Sequence, residues 1–216
     1  TIVPGLILLV YAITYSSQAT KGWASPQIIV TLIAAVCFLA AAVYVEGWVS
    51  TNPLLPADLF SLPSTAFLVV GLFFAYGTMG IFLFYSSFYI ELVLGKGPLQ
   101  TALWYIPMIV GGLFLGTIGG MTLHLLPGRI LLIISGSGYV VCCLLFALMP
   151  ENPNYWAWVM PAMVAATVGL DITFTVSNVF ITTNLPARRQ GLAGALINST
   201  LFLGISFFQG LGDVAV

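Results

Sequence analysis

The residue in this sequence best placed to do chemistry is Asp171, the only charged residue between Glu151 and Arg188. It lies in the stretch MVAATVGLDITFTVSNVFITT. If that stretch is helical, Thr175 and Asn178, four and seven residues on, share its face, with Thr173 and Ser177 to one side. A carboxylate in so apolar a run is either a protonatable or ligand-binding group in a cavity, or a buried clamp bonded to a neighbouring helix. A charge at the middle of a bilayer costs at least about 2.5–3.5 kcal/mol on insertion scales, so the group should face a bundle interior or water and be partnered or protonated.

A second polar patch, FLFYSSFYIE, brings together Tyr85, Ser86, Ser87, Tyr89 and Glu91, with Tyr76 further up the same run. Rings supply contact area and hydroxyls fix orientation, a combination that suits an amphipathic organic ligand. An interfacial aromatic girdle is the alternative, more natural for Tyr89 than for Tyr76.

Other reactive types lack the company they would need. His124 is the single histidine, at a run's end beside Gly128 and Arg129, and reads as a solvated histidine more readily than as a proton shuttle. Neither a metal site nor a cofactor is implied, because no partner ligands are near it. Ser135 and Ser137 in SGSG could suggest an intramembrane serine protease, but His124 is the sole imidazole available as a base, and helix packing explains the glycines equally well. Cys37, Cys142 and Cys143 all lie inside apolar runs and read as small core residues. The glycosylation sequon Asn198-Ser199-Thr200 falls within an apolar span and would not be reached.

The elements that carry these residues follow from composition. The chain has 216 residues, 60% hydrophobic and only 5% charged, with a mean hydropathy of +1.11 and a net charge of −1. A soluble domain carries roughly 25% charged residues, so no water-facing surface can be built from this chain. An all-α bundle of membrane helices is expected, since a bilayer core leaves backbone groups no partner outside a helix or closed barrel. The net charge argues against nucleic acid and against a polybasic membrane-surface module. The absence of an initial Met, of a signal peptide and of a polar tail suggests a piece of a longer protein.

Polar and Pro/Gly-rich breaks divide the chain into about seven spans, near 2–16, 27–45, 66–90, 101–123, 130–149, 156–183 and 192–211. Alternating the connections puts Arg129, Arg188 and Arg189 on one side and Lys21 and Lys96 on the other, which places the former in cytoplasmic loops. Trp23, Trp48, Trp104, Trp156 and Trp158 fall near span ends, as an aromatic belt requires. In GGLFLGTIGG, Gly112, Gly116 and Gly120 recur every four residues and form a smooth ridge on which a second helix could pack, whether statically or as a surface that slides. Pro107 and Pro161 each remove a backbone hydrogen bond early in a span and permit a kink.

Three segments carry a resemblance. Glu46 followed by PLLPADLF at 53–60, then FYIELVLGKGPLQTALWYIPMIVGG at 88–112, then NVFITTNLPARRQGLAGALINS at 178–199, are similar to the major facilitator superfamily, in particular its fourteen-span drug:proton antiporter branch and its fungal members. The resemblance covers essentially the whole chain. It implies that residues 1–50 are the extra helix pair between two six-helix halves, 51–65 a cytoplasmic connection, and 66–216 the first five helices of the C-terminal half, with the N-terminal half and the final helix absent. It also implies that the third and sixth spans, which carry Tyr76, Tyr85 and Asp171, line the central cavity. The family's loop signature corresponds here to GMTLHLLPGR at 120–129, which keeps Gly120, Gly128 and Arg129 but lacks the family's Asp. The motif that distinguishes antiporters belongs to the absent half.

The expected function is transport of a small organic compound or drug by alternating access, with proton-coupled export as the leading reading and Asp171, Thr175, Asn178, Tyr76 and Tyr85 as substrate-binding or proton-coupling candidates. A proton symporter or facilitator for a nutrient is the alternative within transport. An intramembrane enzyme or a non-transporting sensor is the alternative outside it; no catalytic constellation or signalling tail supports either. Expected partners are a small-molecule substrate, protons, the lipid bilayer and the remainder of the same transporter, in the plasma or vacuolar membrane.

Overall fold

A computed structural model of the chain describes residues 2–16, 24–49, 63–122, 126–184 and 187–215. Lys21, Trp23, His124 and most of the 51–65 connection lie outside the described residues. Among the described residues eight α-helices follow one another: α1 (Ile2–Ser16), α2 (Pro26–Tyr44), α3 (Pro63–Phe88), α4 (Pro98–Trp104), α5 (Ile106–Thr122), α6 (Gly128–Ala147), α7 (Val159–Asn184) and α8 (Ala187–Ala215). Pro26 and Pro98 open α2 and α4, where a missing N–H leaves no bond unmade. At their far ends α2 and α3 widen into single turns of π-helix, Val45–Val49 and Tyr89–Val93.

Among the described residues six stretches are long and apolar enough to cross a bilayer: Pro26–Tyr44, Ser64–Val93, Pro98–Thr117, Gly128–Ala147, Val159–Asn184 and Gln190–Gly212. With the shorter apolar helix Val3–Ser16 they account for the seven expected spans. Large apolar side chains such as Phe67, Leu99, Leu113 and Phe202 are more than two-thirds exposed. In water they would form an aggregating surface; in lipid they are the solvated face.

The fourth expected span is interrupted. Tyr105 stands between α4 and α5 with φ −85 and ψ −4. Its N–H reaches Ala102 O at 3.2 Å, and the Met108 N–H reaches Tyr105 O at 3.0 Å, so the helices meet in a tightened turn. Pro107 is the cause: it has no N–H to give and its ring crowds the carbonyl four residues back. The Tyr105 hydroxyl bonds Ser86 at 2.5 Å and donates to Leu83 O at 3.1 Å, tying the joint to the end of α3. Pro161 behaves otherwise. It is the third residue of α7, in the first turn, and the helix runs on past it, with the Ala162 N–H reaching Trp158 O at 3.3 Å.

The chain divides into two compact units, 1–77 with 188–216, and 78–187. In the first, α1 and α2 run antiparallel, with Gly5 against Leu39. There α8 meets α3 where a Cβ on Gly204 would stand 2.6 Å from Phe73 O, and Phe73 packs against Phe207 and Phe208 with ring centroids 5.5 and 5.4 Å away. Tyr76 is fully buried in this unit. The second unit holds α4 to α7 and the end of α3, and carries Asp171.

Candidate functional site

Asp171 is in the middle of α7, which packs against α5 on one side and α6 on the other. On the α5 side the stripe Met163, Thr167 and Asp171, one residue per turn, lies over Met108, Gly111 and Gly112. The Thr167 hydroxyl donates to Met108 O at 3.3 Å and to Met163 O at 2.9 Å. A Cβ on Gly111 would meet Thr167 Cγ2 at 3.1 Å, and one on Gly112 would meet Asp171 Oδ2 at 3.3 Å. Gly111 permits the approach by admitting the Thr167 methyl group, whereas Gly112 leaves room beside the Asp171 carboxylate.

On the α6 side the two backbones come closest. A Cβ on Gly138 would lie 2.7 Å from Ala165 O and 2.9 Å from Gly169 N. One turn away Ser135 donates its hydroxyl to Gly169 O at 2.7 Å and is also hydrogen-bonded to the Thr173 hydroxyl. Ser135 therefore clamps α6 to α7. The Tyr139 ring covers Gly169. Its buried hydroxyl lies beside Thr173 but meets hydrogen-bond geometry with nothing among the described residues.

Thr175 and Asn178 share Asp171's face and, like it, are half-buried. Their polar groups turn to the helix backbone: the Thr175 hydroxyl donates to Asp171 O at 2.8 Å and the Asn178 amide to Phe174 O at 2.8 Å. Neither is spent on the carboxylate. Tyr85 is half-buried in the same unit, its ring edge-on to Phe84 at 5.4 Å, whereas Tyr76 belongs to the other unit. No group of three His, Cys, Asp or Glu able to hold a metal ion occurs among the described residues.

Two expectations are corrected. Gly116 is exposed and a Cβ there meets nothing within 4 Å, so of the ridge Gly112, Gly116 and Gly120 only Gly112 is seen to meet a helix; the surroundings of Gly120 lie outside the described residues. The physical reason is a crossing contact: α7 touches α5 over the turns at Met108 to Gly112 and does not follow the ridge. Leucine at Gly116 is therefore expected to leave the melting temperature and yield of the full-length protein unchanged, within about 0.5 kcal/mol of stability. A lost yield would place a helix from outside this chain on the ridge. The second correction concerns Arg129, Arg188 and Arg189, which fall in the first turns of α6 and α8 and not in loops. Pro127, extended at φ −62 and ψ 136, starts α6 early, its carbonyl accepting from Ile130 and Leu131.

The residues that build the α6–α7 seam, Gly138, Tyr139, Gly169 and Thr173, carried little signal of their own. The SGSG run had pointed to close packing, but a partner 34 residues on, the Ser135 to Gly169 separation, cannot be read from spacing.

Among the described residues, six apolar stretches of membrane-spanning length, many of their large apolar side chains exposed, define a multi-pass integral membrane protein. The chain belongs to the major facilitator superfamily, whose family model matches residues 2–209. Among its relatives, Efflux pump terG of Aspergillus terreus is 31% identical over 97% of this chain and 39% of its own length. The Aminotriazole resistance protein of Saccharomyces cerevisiae is 29% identical over 96% and 38%, and Efflux pump terJ of Aspergillus terreus 26% over 98% and 40%. The chain thus spans about two-fifths of the length of the curated relatives it matches.

Proposed function

We propose that this chain is part of a transporter that exports a small organic compound by alternating access in exchange for protons, with Asp171 as the group that gains and loses the proton. The observation that carries the reading is the half-buried Asp171 carboxylate in mid-span, facing a glycine while its polar neighbours Thr175 and Asn178 bond the backbone instead. A static clamp would be expected to engage those neighbours or the facing helix. Two of the relatives named above are called efflux pumps and the third is named for resistance to a small heterocycle, which supports export of a small organic molecule. Tyr85, in the same compact unit as Asp171, is a proposed substrate contact.

In the same proposal residues 1–50 are an extra helix pair, 51–65 a cytoplasmic connection and 66–216 the first five helices of the C-terminal half. The two halves rock about a midplane site, and protonation of Asp171 changes which state is favoured. The partners are the remaining half and final helix, protons, the substrate and the bilayer of the plasma or vacuolar membrane. The activity is transport and not catalysis.

The test is the full-length protein in liposomes under an imposed pH gradient, with aminotriazole among a panel of small organic probes. Movement of a probe against the direction of proton flow is expected. Movement with the protons would make the protein a symporter, and a rate indifferent to the gradient would make it a facilitator; either result rejects the proposal.

A further inference from the structure

Gly112 has an unusual neighbour. Most glycines at the helix crossings here face backbone or an apolar side chain: Gly138 faces Ala165 O, Gly204 faces Phe73 O and Gly111 faces the Thr167 methyl. At Gly112 the one atom that an added methyl group would meet within 4 Å is a carboxylate oxygen, Asp171 Oδ2 at 3.3 Å. The absent side chain therefore does nothing for helix approach at that point, since no other atom of α7 is near enough to be kept out. What it leaves is room beside the carboxylate, since a methyl group at this point would meet no other atom within 4 Å. Glycine in a helix interior is less favourable than alanine, so the opening has a cost that packing does not offset.

We propose that Gly112 is a positioning residue for Asp171, keeping the α5-facing side of its carboxylate open so that water and a proton can reach it. The inference rests on the reading of Asp171 as the proton-coupling group and deepens it. The groups that could tune the carboxylate are few. From α5 the described contacts are Met108, Gly111 and Gly112, none of which titrates; from α6, across α7, Tyr139 and Cys142 are the titratable groups. Thr175 and Asn178 are already engaged with the backbone. On the α5 side, what stands at position 112 is the nearest determinant of how much room the Asp171 carboxylate has. A methyl group there forces the carboxylate aside or shields it from water, and either effect disfavours the charged form.

The experiment needs no known substrate. In the purified full-length protein, the carboxyl C=O stretching absorption of Asp171 is identified by its loss in Asp171→Asn and titrated in wild type, Gly112→Ala and Gly111→Ala. Gly112→Ala is expected to raise the proton affinity of this group about tenfold, moving the titration to higher pH, with thermal stability near wild type. Gly111→Ala, whose methyl meets Thr167 at 3.1 Å, is expected to lower stability and leave the titration where it was. An unmoved midpoint in Gly112→Ala, an equal displacement in Gly111→Ala, or a Gly112→Ala protein that does not accumulate would each overturn the inference. Gradient-driven transport by Asp171→Asn is measured alongside. If it persists, the coupling role of Asp171 fails, while the titrations still decide whether Gly112 sets its proton affinity.

Discussion

Leucine in place of Gly138 is expected to abolish accumulation of the folded protein. At this position α6 and α7 are in backbone contact, and even a methyl group would stand 2.7 Å from Ala165 O and 2.9 Å from Gly169 N. Backbone atoms in two hydrogen-bonded helices cannot rotate out of the way as a side chain can, so relief requires the helices to separate. Separation would break the Ser135 hydrogen bonds to Gly169 O and Thr173 and lift the Tyr139 ring from Gly169. Alanine alone should cost about 1–3 kcal/mol by overpacking, and leucine more. In lipid there is little hydrophobic drive to hold the pair together once close packing is lost. Gly136, two residues earlier on the same helix, is the control: it is exposed with nothing within 4 Å, and leucine there should be tolerated. Expression and thermal unfolding of both variants in the full-length protein check the claim, and equal tolerance at Gly138 and Gly136 would refute the seam.

Asparagine in place of Asp171 is the second change with a large expected effect, on transport this time and not on folding. The amide keeps the size and the ability to accept and donate hydrogen bonds while removing the titratable proton. The Thr175 and Asn178 bonds run to backbone carbonyls and not to the carboxylate, so the helix should form as before. On the proposed coupling role, gradient-driven transport should fall by about 5–150-fold, the span of a typical coupling free energy of about 1–3 kcal/mol, because position 171 would no longer change charge between states. Substrate binding and expression should be close to wild type. Retained gradient dependence would leave Asp171 as a polar strut, and lost expression would make its role structural.

Both effects are local consequences of one arrangement. α7 is gripped on one side by the Gly138–Gly169 crossing and on the other by Thr167 on Gly111, and Asp171 projects beside Gly112 from a helix that is otherwise held.

Composition and periodicity by themselves determined that the chain is a set of membrane helices, where most of them begin and end, and that Asp171, Thr175 and Asn178 share a face. Those properties depend on apolar run length and on the helical repeat, both local. Proline already marked the weak point of the fourth span, because the loss of an N–H acts within one turn. The helix crossings were decided by the tertiary structure alone. Which glycine of GGLFLGTIGG meets a helix, and that Gly138 rather than a member of that ridge bears the closest contact, depends on the angle and depth at which α7 crosses its neighbours. Small residues permit a close approach without specifying a partner. The same holds for Asp171: its place in the sequence made it conspicuous, but only packing could set a glycine before its carboxylate and turn Thr175 and Asn178 away from it.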